Sequence, residues 1–244
     1  MRMDEISLKD RCGRKPLRFS RKWKWMYVLM MAVSLGLTSL CIRVFVQVFT
    51  GKGFYLVSLL LIAIGLLPFG ILIRRQELGI TDIVLVAVMS ALTVLSRLAF
   101  FMTPGIKPMA AMIIIAGAGL GPETGILVGF IATFASNFLF GQGLFTPWQM
   151  YSFALIGLLS GLLFYRKKIS RLRAAVFGGI SVLALYGPIM DVATVYIAME
   201  NPDTQAILSS LSVGLPFNLL HAGSTVIFLL LMYEPMIKKL HRVK

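Results

Sequence analysis

Tyr165-Arg-Lys-Lys-Ile-Ser-Arg-Leu-Arg173 carries five positive charges in nine residues and lies between two apolar runs, at about 148–165 and 174–199. An apolar run, a short basic cluster and a second apolar run make the pattern of two membrane helices joined by a cytoplasmic loop, because positive loops stay on the cytoplasmic side. The same alternation extends in both directions. Further apolar blocks fall at about 26–49, 54–73, 80–102, 108–120, 123–140 and 207–235. Most approach the roughly 20 residues needed to cross a hydrocarbon core.

The whole chain fits lipid as its solvent. Of 244 residues, 58% are hydrophobic and only 14% charged, where a soluble domain keeps about a quarter charged. Mean hydropathy is +0.85. The expected fold class is all-α: a polytopic membrane helix bundle of eight blocks. A basic arm at 1–25, with Trp23 and Trp25 as interface markers, precedes two leading spans within 26–78 and a six-helix core at 79–244. The block at 108–120 is too short to cross upright. It calls for completion by backbone shielded inside the bundle, or for a re-entrant hairpin with its successor.

Charge sets the orientation. With both termini cytoplasmic, the arm, Arg74 and Arg75, the 166–173 cluster and the tail residues Lys238, Lys239, Arg242 and Lys244 place 20 of the 24 Lys and Arg inside. Only Lys52 and Lys107 face out, and the longest outer loop, Glu200-Asn-Pro-Asp-Thr-Gln205, is acidic. The expectation is therefore a multi-pass cell-membrane protein with N- and C-termini in the cytoplasm. The net charge of +14 sits beside apolar blocks, the membrane pattern rather than a nucleic-acid patch. The first apolar block is longer than a signal-peptide core and lacks a small-residue cleavage site, so it is expected to be retained. Cys12 and Cys41 form neither a disulfide framework nor a metal spacing.

No enzyme motif is present. The two histidines, His221 and His241, sit in no metalloprotease spacing, and there is no nucleophile elbow and no phosphate-binding loop. The expectation is a non-enzyme without catalytic residues, catalytic cofactor or metal site. Gly121, Gly125 and Gly129, and likewise Gly157 and Gly161, recur every fourth residue, which suits close approach of helix backbones. Glu123 follows Pro122 at a helix start, where the dipole favours an acid. Ala87, Ser90 and Ala91 make a smooth strip on the third block, for packing within the bundle or for docking a membrane partner.

The polar residues inside the membrane are the functional candidates. Arg97 lies about one turn from the outer end of its block and Asp191 about two turns from the outer end of its own. Two arrangements satisfy both: a mutual pair, or a shared ligand. Asn137, Gln142, Thr146, Trp148 and Gln149 cluster around the loop that follows block five. Tyr186 precedes Gly187-Pro188, a kink signal, and Asn218 and His221 share a helix face. Rings for stacking and amides for orientation suit a bulky, partly polar organic ligand. Arg43 fits this site or another.

The stretch from about Leu78 to Lys244 resembles the substrate-binding S components of energy-coupling factor (ECF) vitamin transporters. The resemblance rests on the six-span core, Ala87-Val-Met-Ser-Ala91, Gly117-Ala-Gly-Leu-Gly-Pro-Glu-Thr-Gly125 and, above all, Asn137-Phe-Leu-Phe-Gly-Gln-Gly-Leu-Phe-Thr-Pro-Trp-Gln-Met150. It implies capture of a vitamin at the outer face, with transport by a partner transmembrane T component and two cytoplasmic ATPase subunits. It implies docking of the T component on Ala87 and Ala91, lid loops at about 102–108, 140–148 and 200–206, and a toppling motion that carries ligand inward. The Gln142–Gln149 loop and Pro216-Phe-Asn-Leu-Leu-His-Ala222 are most similar to S components assigned to cobalamin, which makes a corrinoid the first expected ligand. The leading spans depart from the six-span pattern. The competing readings are a self-sufficient carrier or channel and a membrane enzyme built on His221 and Asp191.

Overall fold

The computed structural model describes residues 58–63, 80–199 and 202–243. The basic arm, Arg43, the expected span at 26–49 and most of that at 54–73 lie outside them; residues 58–63 are helical. Among the described residues there is no strand. From residue 80 onward the described residues form seven α-helices: α1 (Ile80–Ala99), α2 (Met109–Leu120), α3 (Pro122–Phe140), α4 (Thr146–Phe164), α5 (Arg171–Ser181), α6 (Gly187–Ala198) and α7 (Thr204–Val243). A π-helical turn, Val182–Tyr186, joins α5 to α6, so that Arg171–Ala198 forms one span. Among the described residues, five helices are long and apolar enough to cross a membrane, and α2 is a shorter apolar helix. The chain is a polytopic all-α bundle and a multi-pass membrane protein.

The short fourth block is resolved by burial. All twelve residues of α2 are buried. Twelve residues rise only about 18 Å, less than the hydrocarbon thickness, but this backbone meets protein on every side. Gly121 ends the helix at φ +118°, a conformation costly for any residue with a Cβ, and Pro122 starts α3 at once. The turn is thus a single residue long.

The expected glycine ridges are the seam of α2, α3 and α4. A Cβ placed on Gly157 would overlap the Gly125 carbonyl, one on Gly117 would overlap Ser160 and the Gly157 carbonyl, and one on Gly161 would overlap Pro122. At Gly129 it would lie 2.6 Å from the Phe153 carbonyl oxygen. In lipid, apolar surface adds little drive for helices to associate, so this close backbone packing supplies dispersion contact instead. The buried Glu123 lies in the first turn of α3, as expected.

The outer helices differ. α1 buries Leu85, Val86, Met89, Ser90 and Thr93 and exposes Ile83, Val84, Val88, Leu92 and Leu95. Apolar residues on both faces are what lipid solvent requires. Ser90 therefore points inward, away from Ala87 and Ala91, which are exposed. The three do not form one strip. The helix α7 runs 40 residues, further than the expected 207–235 span, and carries Lys238, Lys239 and Arg242 as a helical extension. Ser170 caps α5 by accepting the Arg173 backbone N–H, which places the basic cluster at a helix start.

Candidate functional site

One end of the bundle, where α1 and α3 finish and α4 begins, holds a continuous run of buried polar groups. It starts at Arg97, whose Nη1 donates to Ser136 Oγ at 2.5 Å and to Asn137 Oδ1 at 2.7 Å. Asn137 is fully buried. Its Nδ2 donates to Thr146 Oγ1 at 3.2 Å and to Gln149 Oε1 at 2.8 Å. Gln149 Nε2 passes the run on to Tyr186 Oη at 3.1 Å. Tyr186 meets His221 edge to face, with ring centroids 4.9 Å apart, and Phe153 at 4.6 Å.

The run is ordered but open at its far end. Asn137 uses its carbonyl and both amide hydrogens. By contrast, Nε2 of His221 is buried and has no hydrogen-bond partner among the described residues, while the Tyr186 hydroxyl accepts from Gln149. A buried polar atom left unpartnered costs about 1–3 kcal/mol, which makes His221 the energetically exposed end of the run. The π turn brings Tyr186 to this position. An added residue in the helix shifts the side chains that follow, and Pro188 cannot supply the N–H of a regular turn.

Arg97 and Asp191 are held by different partners, not by each other. The Asp191 carboxylate accepts from Asn218 Nδ2 at 2.8 Å, and its backbone carbonyl accepts from Ser210 Oγ at 3.0 Å. Asn218 packs directly on Gly187, the residue after Tyr186, so the two polar groups adjoin along α6 and α7. Gln142 stands at the exposed rim, accepting from Thr146 Oγ1 at 3.0 Å and donating to the Phe134 carbonyl at 3.0 Å. Trp148 is directed elsewhere: its Nε1 donates to Ser58 Oγ at 3.2 Å, and it packs in one apolar cluster with Leu61. Nine of the ten sequence-predicted residues thus adjoin one another, while Trp148 ties α4 to the leading segment. α4 begins at Thr146, so the loop expected at 140–148 is shorter.

Two further residues belong to this end. The Phe140 ring lies 4.2 Å from the Arg97 guanidinium and 5.0 Å from Lys107 Nζ. Lys107 also donates to the Phe100 carbonyl at 2.8 Å and the Phe101 carbonyl at 3.3 Å, closing the last turn after α1. Its backbone is strapped to α7: its N–H donates to Ser224 Oγ at 3.0 Å, and that hydroxyl donates to its carbonyl at 3.3 Å. Burial, and after it the neighbouring guanidinium, lower the Lys107 ammonium below the usual lysine range. The sequence marks Lys107 as a loop charge; only the fold sets it beside Arg97. Among the described residues, no group of three or more His, Cys, Asp or Glu is placed to hold a metal ion.

A family model described as ECF transporter, substrate-specific component, matches residues 81–233, more than half of the chain. Comparison with curated proteins and with solved structures gives no match.

Proposed function

We propose that this chain, which belongs to the substrate-specific components of ECF transporters, captures a vitamin between the ends of α1, α3, α4, α6 and α7. That family consists of substrate-binding transport subunits and is not an enzyme family. The observation that carries the reading is the polar run from Arg97 to Tyr186, built inside an apolar bundle and ending at the unpartnered His221 Nε2. A structural network would close on itself; a binding site keeps donors and acceptors for its ligand. Arg97, Asn137, Gln142, Thr146, Gln149, Tyr186, Asp191, Asn218 and His221 are the proposed contacts, and Trp148 acts from behind through α4. A corrinoid is the first candidate ligand, because amide fringes match the neutral polar groups and its breadth matches the rings.

The positive loops support an orientation with both termini in the cytoplasm and this end outside. Ala87 and Ala91 lie exposed on α1, where small side chains let another helix approach closely. That supports them as the docking strip of a membrane-embedded T component, which two cytoplasmic ATPase subunits would drive. The test is uptake of radiolabelled cobalamin into vesicles. The isolated chain should bind it saturably, with sustained accumulation only when the T component and ATPases are present. Full-rate uptake by the chain alone would make it a self-sufficient carrier instead.

A further inference from the structure

Two cations stand together at the proposed ligand end, against one aromatic ring. Arg97 and Lys107 share one ring, Phe140, and neither has a carboxylate partner among the described residues. Arg97 spends only Nη1 on neutral oxygens, and its Nε and Nη2 make no hydrogen bond to the described residues. Lys107 closes the end of α1, whose terminal carbonyls are equivalent to about half a negative charge. Two full positive charges face that half charge. Asp191, the carboxylate among the proposed contacts, is held by Asn218 on the α6–α7 side.

We propose that Arg97 and Lys107 receive an anionic group of the ligand, a carboxylate or a phosphate, with Phe140 as the platform that aligns both cations. The guanidinium offers its two unspent nitrogens as a fork, the geometry that suits either oxyanion. The Ser224 strap holds Lys107 in place while its ammonium completes the charge. The assignment rests on the vitamin-binding reading and narrows its substrate class: a corrinoid qualifies through its nucleotide-loop phosphodiester, and a neutral vitamin does not.

Pairs that differ mainly in the anion test it, cobinamide phosphate standing in for cobalamin so that only the phosphate separates it from cobinamide. The chain in nanodiscs of zwitterionic lipid is titrated calorimetrically with cobinamide phosphate and cobinamide, pantothenate and panthenol, and biotin and biotinamide. Within the pair that binds, the anionic member should bind at least about tenfold more tightly, as for a charge-assisted bond. Arg97→Gln with Lys107→Gln should remove that preference, while Arg97→Lys with Lys107→Arg retains most of it and shows that the fold persists. Equal affinity of the two members, or a preference unchanged in the Gln variant, overturns the anion site. Tightly bound lipid, seen by native mass spectrometry and lost in the Gln variant without any change in ligand preference, also overturns it, because the cations then serve a lipid phosphate. If no pair binds, the vitamin-binding reading itself falls, and the anion site with it.

Discussion

The two ends of the core are held together by different means. Where α2, α3 and α4 meet, glycines bring backbone onto backbone, and no side chain intervenes between Gly125 and Gly157. At the Arg97 end, long polar side chains span the gaps between helices, and the run finishes on a nitrogen with no partner. The first end is rigid because any added atom collides. The second keeps unspent hydrogen-bonding capacity, which costs stability and, on the proposed function, serves a ligand.

The largest effect belongs to the glycine end. Gly157→Leu forces a side chain into the Gly125 carbonyl, and overpacking of this kind costs 1–3 kcal/mol or more; we expect loss of monodisperse protein in size-exclusion chromatography. Gly223→Ala, where nothing lies within 4 Å, is expected to leave the elution profile unchanged. Next comes Asn137→Leu. It strips Arg97 of an acceptor and Thr146 and Gln149 of a donor, with an expected loss of about 3 kcal/mol in thermal denaturation and loss of ligand binding.

A third effect concerns assembly rather than either end. Ala87→Trp with Ala91→Trp should abolish co-purification with a T component and leave ligand affinity unchanged; intact assembly would show that α1 presents those alanines to lipid alone. His221→Leu divides stability from function most sharply. It removes a buried unpartnered nitrogen, so the ligand-free protein should gain about 1 kcal/mol in thermal denaturation while binding weakens. Ser90→Ala is the smallest. It deletes the other unpartnered buried atom, Ser90 Oγ, for a slight rise in melting temperature and no change in binding.

The sequence displays the apolar blocks, the short α2 and the four-residue glycine spacing, because each follows from helix period and span length alone. The inward direction of Ser90 was not read, because spacing alone groups it with Ala87 and Ala91; only the fold sets it with Val86, Met89 and Thr93 on the buried face of α1. Partner choice was not legible either. Whether Arg97 meets Asp191 or Asn137 depends on which helices adjoin, and neighbouring positions on α4 diverge: Gln149 enters the polar run while Trp148 turns to Ser58. Lys107 was hidden for the same reason, its meaning coming from Phe140, 33 residues further along the chain.

The central claim is that the open polar run holds a small organic ligand. Mass spectrometry of compounds extracted from the purified chain tests it, with the Arg97→Gln/His221→Leu variant alongside. One vitamin-class compound should accompany the native chain at about one per chain and be absent from the folded variant. Equal retention by both proteins, or failure of the native chain to retain any vitamin supplied to it, would contradict the account.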